Sequence, residues 1–334
     1  MKLPDTEELR KVYSALVDDT SRKIYRHRLL YSLLNDEEEI TRVVYECSKA
    51  SPQLSSSKVC YYGAGVGADW LTRYDRNASF IIDKNKTGTL NGLRVISLDD
   101  FLKLPDCKEY LIIVTVGKSD LRHEIALELA KYNLRYVFGF NEMLYLDQQY
   151  FDLPSIAASQ QKEYFVDAGA LDGETTRCFL ERFTNGHAYV LEPNPRQFAV
   201  TKERLRDCPE AELFPYGAYD RNTTLRFDAP VNDVSGAKIS EDGTEEIEVR
   251  RLDDLLEDRK VTFLKMDIEG SELAALRGAE RIIREQRPKL AICVYHKPED
   301  MWEIPSLILS YHPDYRLYLR HYTITDSETV LYAI

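Results

Sequence analysis

"FLKMDIEGSELAAL", residues 263–276, reads as a strand running directly into a helix. Phe263, Leu264 and Met266 form a short apolar run, and Leu273, Ala274, Ala275 and Leu276 give the buried face of a helix. Gly270 stands where the chain turns. Glu269 and Glu272 suit a helix start, where carboxylates favour the dipole and cap free N–H groups. Asp267 precedes the turn, so capping does not account for it. It ends the strand, where ligands collect in open α/β sheets.

Working outward, the same strand–turn–helix unit recurs in "EYFVDAGALDGETT", and further strands follow in "HAYVLEPNP", "AELFPYGAYD" and "KLAICVYH". "YRLYLRHYT" and "TVLYAI", around the turn "ITDSE", predict an antiparallel hairpin at a sheet edge. An earlier alternation begins at "KVCYYGAGVGADWLTRY" and continues through "ASFIIDKN", "EYLIIVTVG" and "LRYVFGF". Alternating strands and helices imply parallel sheets with crossovers. The expected fold class is therefore α/β, with two Rossmann-like domains. The expected organisation is a helical segment over 1–57, a small Rossmann-like domain over 58–140, a linker over 141–161 and a second domain over 162–334. "SKASPQLSSS" reads as a polar connector.

A chain of 334 residues, 44% apolar and 30% charged, has the composition of an ordinary globular protein and room for two domains. The net charge of -12 argues against a nucleic-acid partner. The six cysteines are scattered without CxxC or zinc-like spacing, which predicts reduced thiols. No secretory signal opens the sequence and no apolar run reaches membrane-spanning length, so the expectation is a cytoplasmic protein with no membrane partner.

In the first domain Gly63, Gly65 and Gly67 lie between strand and helix, where backbone N–H groups can face a phosphate. The spacing is GxGxG rather than GxGxxG, and Asp83 follows about 20 residues on, as a ribose-binding acid should. With "IIDKNKTGTLNGLRVISLDDF", the stretch resembles small Rossmann-like domains attached to sugar-modifying enzymes, which implies a nucleotide-sugar as a candidate ligand. The plainer reading is a tight turn for strand–helix packing.

In the second domain Asp167 ends a strand, Gly169 allows close backbone approach, and Gly173 allows a turn before a helix with Thr175 and Thr176 as caps or donors. Glu192 ends the next strand, placed to accept both hydroxyls of a ribose. The order of acid, glycine turn and second acid points to an adenosine-containing ligand.

"VDAGALDGETT", "VLEPNP", "LDDLL", "LKMDIEGSELAALRGA" and "RPKLAICVYH" occur in the order and spacing of the FkbM-type S-adenosylmethionine-dependent methyltransferases, which residues 162–334 resemble. The resemblance implies a class I methyltransferase sheet with an antiparallel edge hairpin. It implies S-adenosyl-L-methionine as cofactor, with Asp167, Gly169, Ala170, Gly173 and Thr175 around its methionine and ribose. Glu192 would bind the ribose hydroxyls, Asn194 would also belong to the cofactor site, Ala218 would lie near the adenine, and Asp267 would sit beside the methyl group. Tyr295 stands where the family typically has a carboxylate or other polar residue before the final histidine.

The expected activity is O-methylation of a hydroxyl on a small-molecule or saccharide acceptor. Transfer to an alcohol is helped by a base within reach. His296 and Asp267, both at strand ends, are the candidates, with Glu269 beside them, and His296 has the pKa nearer neutrality. These three residue types could also hold a divalent metal, but no dedicated ligand spacing supports one, and the expectation is no metal. The polar stretch 228–249 suits a mobile loop over the acceptor. Trp302, Tyr311, Tyr315, Tyr318 and Tyr322 could stack on a sugar or fill the core. Two other readings are kept: a nucleotide-sugar oxidoreductase or epimerase acting through the glycine loop, and a non-catalytic nucleotide-binding protein. The first lacks a convincing TyrxxxLys in residues 58–140. Oligomeric state is left open, with a homodimer as one option.

Overall fold

Two packing units account for the chain in a computed structural model, which describes residues 3–49, 58–74, 78–116, 119–138, 149–157, 161–228, 238–240, 242–323 and 325–334. One unit comprises Met1–Tyr25, Tyr150–Arg320 and Glu328–Ile334; the other comprises Arg26–Gln149 and His321–Ser327. The connector 48–57 and the linker 141–161 fall largely outside the described residues. Among the described residues no helix is long and apolar enough to cross a membrane. All six cysteines are free thiols.

The smaller unit is built on a six-stranded sheet: β1 (Val59–Tyr62), β2 (Ala78–Ile82), β3 (Gly88–Leu90), β4 (Leu93–Ile96), β5 (Leu111–Val114) and β6 (Arg135–Phe138). The order is β3-β4-β2-β1-β5-β6, parallel throughout except for the β3–β4 hairpin. That hairpin was not expected. Its signal was Asn91-Gly92, which takes positive φ at both positions (50° and 84°), as a two-residue loop between twisted strands requires.

The larger unit holds a seven-stranded sheet of β7 (Tyr164–Ala168), β8 (His187–Leu191), β9 (Ala211–Phe214), and four strands beyond an insertion. The insertion is a four-stranded sheet of β10 (Gly217–Ala218), β11 (Thr223–Asp228), β12 (Lys238–Ile239) and β13 (Glu245–Arg250). The main sheet resumes with β14 (Phe263–Met266), β15 (Lys289–Cys293), β16 (Leu317–His321) and β17 (Thr329–Ala333), in the order β16-β17-β15-β14-β7-β8-β9. From β15 to β9 every neighbour is parallel, and β17 runs antiparallel to β15. Arg316 and Ile334, flanking β16 and β17, exchange both backbone hydrogen bonds (2.9 and 3.1 Å), the signature of an antiparallel pair. The α/β class and the antiparallel edge are thus as the sequence implies.

The central strands are buried on both faces, which explains their nearly continuous apolar runs. Phe151, Phe165, Phe179, Phe183 and Phe263 pack together beneath them, with Phe165 stacked on Phe179 at 4.5 Å. Each buried ring contributes roughly 1.5–3 kcal/mol.

The loop expected over 228–249 is corrected. Residues 245–250 form β13, paired along its length with β11, and Ile247 and Val249 are buried while Glu246 and Glu248 are exposed. The period-2 alternation of "EEIEV" carried that information. Residues 229–237 and 241 lie outside the described residues.

Candidate active site

β7 is followed by β8 on one side, whereas β14 and β15 lie on the other, so the chain reverses direction across the sheet between β7 and β14. Open α/β sheets bind ligands at such a point, beyond the carboxyl ends of the strands. A cleft lies there, bordered by Gly169, Glu192, Ala218, Asp267, Glu269 and Tyr295.

One wall is the turn after β7. Gly169 has φ +80°, and a Cβ on it would lie 1.9 Å from the backbone oxygen of Asp267. Only glycine lets these two strand ends approach so closely. Below the turn Asp167 is fully buried, 3.0 Å from the Lys265 ammonium, and accepts from the Thr176 hydroxyl at 2.7 Å. Lys265 Nζ also donates to the Gly169 carbonyl at 2.6 Å. Burial alone would lower the Lys265 pKa, but Asp167 and Asp267 more than offset it and hold the ammonium charged. Asp167 therefore braces the turn from beneath rather than bordering the cleft. Gly173 has φ +81° and packs against Thr201, and Ala170 is buried at the same turn. Thr175 is half-buried on the helix that follows.

Glu192 borders the cleft directly. Its two oxygens accept one backbone N–H each, from Leu171 (2.9 Å) and Asn194 (2.8 Å). Burial raises its pKa to about 7, against the opposing pull of those two N–H groups. The Asn194 side chain accepts from Arg196 N at 3.0 Å and caps the helix Pro195–Arg204. Ala218 sits on the same side, with Phe227, Ile247 and Val249 of the inserted sheet forming an apolar wall.

The end of β14, packed directly against the turn after β7, holds the acids. Asp267 accepts from two tyrosine hydroxyls, Tyr150 at 2.9 Å and Tyr295 at 3.2 Å, and Tyr295 also reaches Glu328 at 3.3 Å. Burial would raise the Asp267 pKa, but Lys265, His296 and Tyr150 bring it below the usual carboxylate value. Tyr150 takes a left-handed backbone (φ 71°), an unfavourable conformation for a bulky residue that marks a constrained position. Glu269 is left-handed too (φ 54°), and burial raises its pKa to about 7.

His296 lies among three carboxylates. Nδ1 is 2.9 Å from Glu272, and Nε2 is 3.5 Å from Asp267 and 3.6 Å from Glu269. Burial works against its charge, yet the carboxylates, Glu272 first, raise its pKa to about 9. Glu272 is a correction to the helix-start reading. It is the first residue of the helix Glu272–Arg277, but it is fully buried and also accepts from Ile268 N at 2.8 Å.

Sequence reasoning thus missed Tyr150, Lys265 and the inward role of Glu272. Lys265 was findable, because a lysine inside an apolar strand demands a buried acid. Tyr150 was not, since it lies in the stretch read as linker. Trp302, Tyr311, Tyr315 and Tyr322 are buried rather than offered to a sugar.

In the smaller unit the glycine turn also borders a cleft, lined by Gly63, Asp83, Asn85 and Val116, and its acid is bound to the backbone. Asp83 accepts from Ala64 N (2.6 Å), Asn85 N (2.8 Å) and Lys86 N (2.9 Å), and Lys86 Nζ caps the Ala64 carbonyl at 2.7 Å. Gly63 (φ +105°) abuts Val116, while Gly65 faces open space and Gly67 is buried. The reading as a nucleotide-sugar oxidoreductase or epimerase finds no support in this turn, whose acid is committed to the backbone.

Residues 167–323 match the family model described as "Methyltransferase FkbM domain". A 144-residue stretch is 28% identical to "2-O-methyltransferase NoeI" of Sinorhizobium fredii (strain NBRC 101917 / NGR234). That match covers 36% of this chain and 59% of the relative, so the chain spans little more than half of that protein's length. Among solved structures, the methyltransferase FkbM from Methylobacillus flagellatus KT is 20% identical, covering 90% of this chain and 100% of its own, with a TM-score of 0.45. Aeropyrum pernix fibrillarin with natively bound S-adenosyl-L-methionine is 14% identical, covering 55% and 70%, with a TM-score of 0.36.

Proposed function

We propose, from the match of residues 167–323 to the methyltransferase FkbM domain model, that the chain is an S-adenosylmethionine-dependent O-methyltransferase acting on a hydroxyl of a small-molecule or saccharide acceptor. The observation that carries this reading is a cleft bordered by a glycine turn, a buried carboxylate and apolar side chains, with an acid–histidine cluster at the adjoining strand ends.

The residues present fit the cofactor. Each Glu192 oxygen has a single backbone donor and keeps accepting capacity for a ribose hydroxyl. Gly169 draws the Asp267 strand end against the turn, and Ala218, Phe227 and Val249 offer an apolar bed for the base. Asp267, held ionised, suits a neighbouring cation. When bound, the cofactor supplies a methyl group already activated as a sulfonium, so the protein's main task is orientation.

Tyr150 and Tyr295 fix the Asp267 carboxylate from two directions. Asp267, Glu269 and His296 then define the place where an acceptor hydroxyl is oriented and acidified. The name of the Sinorhizobium fredii relative, a 2-O-methyltransferase, supports oxygen as the atom methylated. Calorimetric titration with S-adenosylhomocysteine tests the reading. Micromolar binding that disappears in Glu192→Ala is expected; no binding by the wild-type chain would sink it. A radiolabelled-methyl screen over saccharides and hydroxylated metabolites then identifies the acceptor.

A further inference from the structure

We propose that Asp267, Glu269 and His296 form a divalent metal site, with Glu272 as the outer partner that orients the histidine. One ligand atom from each of the three lies within 4.8 Å of the others. An ion about 2.1 Å from each donor sets cis donors about 3 Å apart and trans donors about 4.2 Å apart. The separations of 3.5 and 3.6 Å from Nε2 to Asp267 and Glu269 fall within that span.

The independent observation is the imidazole itself. Its side chain is only 8% exposed, and neither ring nitrogen completes an aligned hydrogen bond although carboxylates face both. A bare imidazolium is drawn to about 2.7–2.9 Å from a carboxylate. Nε2 stands back from both, leaving space for an ion between the donors. On the other edge of the ring Nδ1 is 2.9 Å from Glu272, which is fully buried and anchored by Ile268 N. A carboxylate behind one ring nitrogen, with the other nitrogen facing open donors, is the arrangement that fixes a metal-binding histidine.

Two features of the surroundings agree. Three carboxylates converge on one imidazole, while Lys265 is paired with Asp167 and the Lys297 ammonium donates to the Gly270 carbonyl. Asp267 cannot swing away from the cluster, because two tyrosines hold it. One nitrogen with two carboxylate oxygens suits Mn2+ or Zn2+ better than Mg2+ or Ca2+, which prefer all-oxygen shells. Such an ion at the cleft would lower the pKa of an acceptor hydroxyl, the task the cluster has in methyl transfer. That role rests on the function proposed above; the site itself does not.

The test is a Mn2+ titration of the full chain without cofactor, followed by electron paramagnetic resonance, alongside S-adenosylhomocysteine calorimetry. One Mn2+ per chain is expected, with binding at least tenfold weaker in His296→Gln and in Glu269→Gln. Glu272→Gln should weaken it by roughly 10–100-fold through the histidine. Glu192→Ala should lose S-adenosylhomocysteine and keep Mn2+. Wild-type chain that binds S-adenosylhomocysteine but no Mn2+, or variants that bind Mn2+ as well as wild type, would overturn the metal site and leave the function standing. Mn2+ bound at these residues without S-adenosylhomocysteine binding would uphold the site and remove the function. Circular dichroism of each variant separates lost ligands from lost fold.

Discussion

The two glycine turns of this chain begin from nearly the same sequence pattern and end in different structures. Each follows a buried strand, and each is followed about 20 residues later by an acid at the next strand end. In the smaller unit Asp83 takes three backbone N–H groups, and Lys86 closes the loop over Ala64. In the larger unit Glu192, one methylene longer, takes only one N–H per oxygen, and both acids border clefts. The strand across the reversal point differs as well. Beyond β1 stands Thr115, whose hydroxyl donates to the carbonyls of Tyr62 and Gly63. Beyond β7 stands Asp267 with Glu269, and His296 behind them. The two turns thus differ in how far the acid is bound by backbone and in what faces it across the sheet.

Substitutions can break this contrast. The largest effect is expected for Gly169→Ala, which places a methyl against the Asp267 carbonyl at positive φ. Loss of S-adenosylhomocysteine binding and a stability loss above about 3 kcal/mol are expected in calorimetry and denaturant titration. In the smaller unit's turn Gly65→Ala meets nothing within 4 Å and should stay within about 0.5 kcal/mol of wild type. Next, Glu192→Ala should weaken S-adenosylhomocysteine by about 100-fold, as loss of two charge-assisted hydrogen bonds implies. Asp83→Ala should leave that affinity unchanged while lowering the melting temperature, because three backbone donors lose their acceptor.

A pH series sharpens the comparison further. The Glu192 carboxyl titrates near pH 7 in the fold and at about 4.5 when unfolded, owing to burial. The carboxylate form accepts ribose hydroxyls, so S-adenosylhomocysteine affinity should fall by up to about tenfold per pH unit below about 7. The sign for stability is opposite. Between pH 4.5 and 7 the folded chain holds a proton that the unfolded chain releases, so this group disfavours folding increasingly as pH rises through that window. In Glu192→Gln the remaining affinity should lose this pH dependence; an unchanged profile would assign the titration elsewhere. The smallest effect is expected for Tyr295→Phe, which removes one of two donors to Asp267 and should slow turnover several-fold, about 1 kcal/mol, with cofactor affinity intact.

Much of the fold was legible because its strands announce themselves. Runs such as "KLAIC" and "YFVDA" are apolar on both faces, as a sheet covered by helices requires, and the order of acids and glycines along them marked the cleft. Glu192, Gly169, Asp267, Glu269 and His296 all border it or belong to its acid–histidine cluster. Asp167 and Asn194 were legible as strand-end and turn residues, while their partners were not: Asp167 pairs with Lys265, and Asn194, which borders the cleft, also caps a helix. Residue type and position along a strand are local facts, whereas the atom that occupies an oxygen's lone pair comes from a distant part of the chain.

The sequence by itself determined the α/β alternation, the antiparallel closing edge and the strand ends at which polar groups gather, since hydrophobic periodicity and turn chemistry act over a few residues. Only the tertiary structure decided that Glu272 faces inward to His296, that Tyr150 reaches Asp267 across 117 positions, and that Asp83 is committed to its own loop. Those outcomes depend on which strands become neighbours. That choice is settled by burying the whole sheet at once rather than by any local stretch.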